Sequence, residues 1–201
     1  MITFSENQKN ILGYIVERSM DTSAKALSEM IHREISLESP KLGLISLSNI
    51  VNEMGGSDNL VTCICLSFKG DVAGLVSIIL SEESAFKLVD ILLGNELGVT
   101  SELDEMGKSA LGEVGNIVVS HFLRTLSTHT WLDLQPSVPM VVMDMAGAIL
   151  SSLILNVGES PEEILFSETV FSDKSHDIDS KLFLFAAPSV LKKIFEVIEA
   201  K

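Results

Sequence analysis

Glu113 and Asn116 stand three residues apart in the segment "SALGEVGNIVVS", with Ser109 four residues before the acid and Ser120 four residues after the amide. On a helical period of about 3.6 residues these four side chains form one polar stripe. A carboxylate can pair with a cation. A carboxamide both donates and accepts, so it can hold a water molecule in a chosen orientation. The same pair could equally be a solvated helix face, and spacing alone favours that plainer reading. Gly112 and Gly115 flank the pair, although glycine costs a helix about 1 kcal/mol relative to alanine. Small residues there would let another protein's backbone come close. Such local inconsistencies are expected where function outweighs propensity.

The stripe needs a helix to carry it. The segment 101–127 reads as one, opened by Ser101 with acidic residues in its first turn. Leu103, Met106, Ala110, Val114, Ile117 and Val118 share its apolar face, which is expected to bury. An earlier helix is expected over 6–34, from the recurrence of Ile11, Ile15, Leu27, Met30 and Ile31. Pro40 breaks the chain, and "KLGLISLSNIV" reads as strand. "NLVTCICLSF" and "DVAGLVSIIL" form a hairpin turned by Gly70. "SEESAFKLVDILLGN" is an amphipathic helix starting at Ser81 or Ser84 and stopped by Gly94 and Asn95. The second half repeats the order: the site helix, "SVPMVVMDM", an ill-defined stretch over 146–158, the strands "EEILFSETVFS" and "SKLFLFAA", and the helix "SVLKKIFEVIEA". "FKLVDIL" and "KKIFEVI" correspond in pattern and position. The expectation is an α/β fold with internal pseudo-twofold symmetry, one domain over 1–201 made of repeats over roughly 6–96 and 101–200.

Bulk properties narrow the function. Apolar residues make up 46% and charged residues 21%, an ordinary globular mix. No apolar run approaches the ~18 residues of a membrane span, and the first residues lack the pattern of a signal peptide, so cytoplasm is the expected compartment. The net charge of −14 repels nucleic-acid phosphates and anionic lipid. Cys63 and Cys65 alternate on a strand and are expected to face the core together in a structural role. His32, His121, His129 and His176 are scattered, with His121 on the apolar helix face as a core residue. Ser127 and His129 lack an acid placed to complete a triad. No Walker-type glycine loop occurs. Met20, Met30, Met106, Met140, Met143 and Met145 read as core filler.

Ser109, Glu113, Asn116 and Pro139 fit a longer pattern: Asp or Ser, three residues, Glu, two residues, Asn, 22 residues, Pro. With the string "ALGEVGNI" this resembles the CheC family of chemotaxis phosphatases, which includes CheX and the phosphatase part of FliY. The resemblance extends to the N-terminal "QKNILGYI", to "AKALSEMI" and to "VLKKIFEVI". It implies an enzyme that hydrolyses the aspartyl phosphate of a CheY-like receiver. Asn116 would place the attacking water, and Glu113 would dock on the receiver's lysine. Ser109 would tune packing or the interface, and Pro139 would fix a turn beside the site. No cofactor is expected on this chain, Mg²⁺ being held by the receiver. A CheD deamidase is a further partner that the resemblance implies. The alternative is a module that binds a receiver or CheD without hydrolysis.

Family members often carry a second copy of the site. Pro40 precedes Pro139 by 99 residues, and the same offset places Asn10, Tyr14 and Glu17 at the first-half positions. There the acid has become tyrosine and the amide a carboxylate, which has no N–H to donate. The stretch "RSMDTSAK" replaces the glycine-rich run usual in the family. The first site is therefore expected to be inactive.

Overall fold

The computed structural model describes residues 5–38, 41–157, 163–172 and 177–199. The first half contains α1 (Glu6–Ile31), β1 (Ser36–Glu38), β2 (Leu42–Ser46), α2 (Leu47–Glu53), β3 (Leu60–Gly70), β4 (Gly74–Ser81) and α3 (Glu82–Leu93). The second contains α4 (Glu105–Thr130), β5 (Leu134–Pro136), β6 (Met140–Met145), α5 (Ala146–Val157), β7 (Glu163–Ser172), β8 (Asp177–Ala186) and α6 (Pro188–Glu199). The element order is duplicated. Both ends of α4 lie 99 residues after the corresponding ends of α1.

Among the described residues, the eight strands belong to one antiparallel sheet whose path runs β1-β7-β8-β4-β3-β5, with β2 also on β7 and β6 also on β3. The halves interlock. The first half lends β1 and β2 to β7, the second lends β5 and β6 to β3, and β4 meets β8 at the centre. Strand alternation sends successive side chains to opposite faces. Ile64, Leu66 and Phe68 of β3 join a core under α1, α3, α4 and α6, whereas Val61, Cys63 and Cys65 join a second core under α2 and α5. The sheet is thus the middle of three layers. Both cysteines are free and buried, as expected. Burial pushes the Cys65 thiol up to about 11 and the Cys63 thiol well above its ordinary value.

Several boundaries differ from the sequence reading. Only residues 42–46 of "KLGLISLSNIV" are strand; the rest turns into α2, because Ile50 is fully buried against the second core. The ill-defined stretch 146–158 is α5 over 146–157. The short strand β5 has no counterpart in the sequence reading. Ser81 caps α3, accepting from Ser84 N, and Gly94 ends it in the left-handed region. Gly70 does more than turn a hairpin. It has φ 140°, and a Cβ there would overlap the Asp133 carbonyl, so glycine lets β5 approach β3. Pro40 lies outside the described residues.

Candidate functional site

Helix α4 begins later than expected. Asp104, not Ser101, is its cap, with Oδ1 accepting from Gly107 N at 2.7 Å. The reason lies in the preceding loop. Asp90, fully buried on α3, accepts from Gly98 N at 2.8 Å, Thr100 N at 3.0 Å and Thr100 Oγ1 at 2.6 Å. Those bonds hold residues 98–100 in a loop against α3 and set where α4 starts. Burial pushes the Asp90 pKa up, but the hydrogen bonds from Thr100, Gly98 and Asn95 outweigh it and leave the carboxyl below its usual value. This clamp escaped the sequence reading. Its only trace is an acid within the apolar run "KLVDILL".

Val114 and Val118 are fully buried, as expected, and Leu103, Ala110 and Ile117 are half-buried. Met106 departs from its assigned face and is 63% exposed, because it lies in the first turn, beyond the edge of the core. Met30, Met140 and Met145 are exposed too and Met143 is half-buried, so of the methionines read as core filler only Met20 is buried. His121 is half-buried in a groove rather than in the core.

The polar stripe faces outward. Ser109 and Glu113 are exposed, and Asn116 and Ser120 are half-buried. Ser120 Oγ donates to Asn116 Oδ1 at 3.4 Å, a long bond that orients the amide and leaves its Nδ2 without a protein partner among the described residues. Pro139, just before β6, packs beside the stripe: a Cβ on Gly112 would sit 3.5 Å from Pro139 Cγ. The structure therefore gathers Ser109, Glu113, Asn116 and Pro139 on one surface. Of the two glycines, Gly115 serves the chain's own packing, whereas a Cβ on Gly112 would make only ordinary contact. Both are buried, and a Cβ on Gly115 would overlap Ile64 Cγ2 of the sheet. Asn10, Tyr14 and Glu17 are exposed on α1. The Tyr14 ring meets the His129 ring edge-on at 5.2 Å between centroids, while Glu17 lines a different hollow with Gly13, Val16 and Asp21.

Over 97% of its length the chain is 32% identical to the CheY-P phosphatase CheC of Bacillus subtilis (strain 168), covering 95% of that protein. The chain belongs to the CheC family. A profile described as chemotaxis phosphatase CheX matches residues 62–161 of this CheC-family chain, a span that contains the whole stripe and Pro139. The fold matches the crystal structure of Thermotoga maritima FliY with a TM-score of 0.80 at 21% identity, covering 100% of both chains. It also resembles the complex of CheX with CheY, BeF3 and Mg²⁺ from Borrelia burgdorferi, with a TM-score of 0.52 at 20% identity over 85% of this chain and 96% of that one. Among the described residues of this CheC-family chain, no helix is long and apolar enough to cross a membrane.

Proposed function

We propose that this chain accelerates hydrolysis of the aspartyl phosphate on a CheY-like receiver. The observation that carries this is the near-full-length likeness to a CheY-P phosphatase. The outward stripe of Glu113 and Asn116 beside Pro139 supplies matching chemistry. An aspartyl phosphate is a mixed anhydride and already reactive, so a helper contributes chiefly by positioning. The Asn116 amide holds a water in line with the bond to be broken. The water oxygen attacks phosphorus, the bond from phosphorus to the aspartate oxygen breaks, the receiver's carboxylate is regenerated, and the water's protons leave with inorganic phosphate. Glu113 pairs with the receiver's active-site lysine and orients the two proteins. Mg²⁺ belongs to the receiver in this scheme. Ser109 supports the surface without reacting.

In this reading the reaction takes place in the cytoplasm. The two free cysteines suit a reducing compartment. A CheD-like deamidase is a second partner in this reading, and co-purification of the two proteins tests it. The central experiment measures phosphate release from a phosphorylated receiver. Release should rise on adding this chain and return to the receiver's own rate with Glu113→Ala plus Asn116→Ala. A double variant that still accelerates release refutes the assignment. Receiver binding without any acceleration by the unaltered chain would favour a docking module.

A further inference from the structure

Helices α1 and α4 pack together, and on the side of the degenerate first site they flank an open groove of about 370 Å³. Tyr14 and Arg18 line it from α1, and His121, Arg124 and His129 from α4. No carboxylate is among its lining residues. In a chain of net charge −14, this hollow collects two of three arginines and two of four histidines. Neither arginine has an ion-pair partner among the described residues. Glu17 and Asp21, near Arg18 in sequence, line a separate hollow. Threonine hydroxyls between the cations are committed to the helix backbone: Thr125 Oγ1 donates to His121 O at 2.8 Å and Thr128 Oγ1 to Arg124 O at 2.9 Å.

The duplication sharpens the comparison. Across the 99-residue offset of α1 and α4, Tyr14 corresponds to Glu113, Arg18 to Ile117 and Thr128 to Glu29. Within the lining of this groove two carboxylates of the other side are thus replaced and a guanidinium is added, while the acids that stand for Asn116 and Ser120, Glu17 and Asp21, line the separate hollow. Arg124 corresponds to Lys25, so that cation is common to both sides. Loss of activity alone would leave an indifferent surface. Here the charge of the groove lining has changed sign.

We infer that the α1–α4 groove at Tyr14, Arg18, His121, Arg124 and His129 is a binding site for a small phosphate-bearing molecule. The volume lies in the range of small-molecule pockets, about 300–1,000 Å³. Two guanidinium forks match phosphate oxygens in geometry as well as charge. Burial, and then the charge of Arg124, hold the His121 imidazole below its ordinary pKa. An anion between the arginines reverses the second of these effects.

Inorganic pyrophosphate is the probe. It is titrated into the full chain in physiological salt while the imidazole resonances are followed by NMR. Saturable shifts of His121 and His129 are expected, with His32 unmoved and the His121 titration displaced to higher pH. Arg18→Gln with Arg124→Gln should weaken binding tenfold or more, and the two lysine replacements should retain part of it. Both arginines are exposed, so the fold should survive, as circular dichroism will show. Receiver dephosphorylation should be unchanged in the glutamine variant, which separates this site from the phosphatase stripe. Shifts that sodium chloride reproduces at matched ionic strength, or binding that survives the double glutamine variant, overturn the inference.

Discussion

At the scale of single residues, exposure differs along the stripe, and the proposed roles of its two central residues follow that difference. Glu113 is exposed and free to meet a partner, whereas Asn116 is half-buried and steadied by Ser120. Asn116→Ala should therefore remove most acceleration of receiver dephosphorylation, roughly 100-fold by analogy with loss of a positioned catalytic group, while leaving receiver affinity nearly intact. Glu113→Ala should weaken both, since it removes a charge pair at the interface. Asn116→Asp should fail like alanine: it loses the donor and brings a second negative charge to the phosphoryl group. Single-turnover phosphate release and complex affinity, measured on the same phosphorylated receiver, separate the two roles. Tyr14→Ala with Glu17→Ala should change hydrolysis less than twofold, because neither side chain supplies the acid–amide pair. A loss as large as that of the second-half variants would show both halves to be active. The pattern of site residues was legible in sequence because Ser109, Glu113 and Asn116 lie within about two turns of one helix and Pro139 follows at a fixed spacing. The role of Gly115 was not, since it depends on Ile64, far away in the chain.

At the scale of elements, α4 is fixed by what lies beneath it. Gly115→Ala should lower stability by about 1–3 kcal/mol, because the added methyl meets Ile64 Cγ2 in a filled core and overpacking outweighs the better helix propensity. Gly112→Ala should be neutral or stabilising by up to about 1 kcal/mol, since its Cβ would make ordinary contact with Pro139. Thermal unfolding of the pair tests the contrast, and equal shifts would refute the packing account. The start of α4 depends on the Asp90 clamp. Asp90→Asn should cost about 1–3 kcal/mol at neutral pH through weakened hydrogen bonds to a charged acceptor. The folded carboxyl titrates below its unfolded value of about 3.9, so its contribution is present above that pH. It fades as pH falls through the folded pKa, and wild type and variant should converge in acid. A stability gap that does not narrow at all on acidification would show that the effect is not ionisation of Asp90.

At the scale of the whole molecule, the reciprocal loan of strands binds the halves together. β1 and β2 find partners only on β7, and β5 and β6 only on β3, among the described residues. A separated half would expose unpaired strand edges and half of each core. The full chain should therefore unfold in one cooperative transition, with fluorescence of Trp131 and far-UV circular dichroism coinciding. Fragments cut between α3 and α4 should be largely unfolded alone and regain structure when mixed. Two separate transitions, or a folded isolated half, would contradict this interlocking.

Local signals settled much of this protein in advance. Helical periodicity marked α1 and α4, β-rich runs marked β3, β4, β7 and β8, and the matching prolines at 40 and 139 marked the duplication, because each of these is written in neighbouring residues or in one fixed offset. Short elements were different. α2 and β5 owe their form to the layers they join, since a few residues have too little intrinsic preference to choose helix or strand unaided. The exchange of strands between halves, the close approach at Gly70 and Gly115, and the placing of Arg18 and Arg124 in one groove join residues tens of positions apart or more. Packing decides such contacts. The free energy that selects them comes from burying both cores at once, which no single stretch of sequence can do.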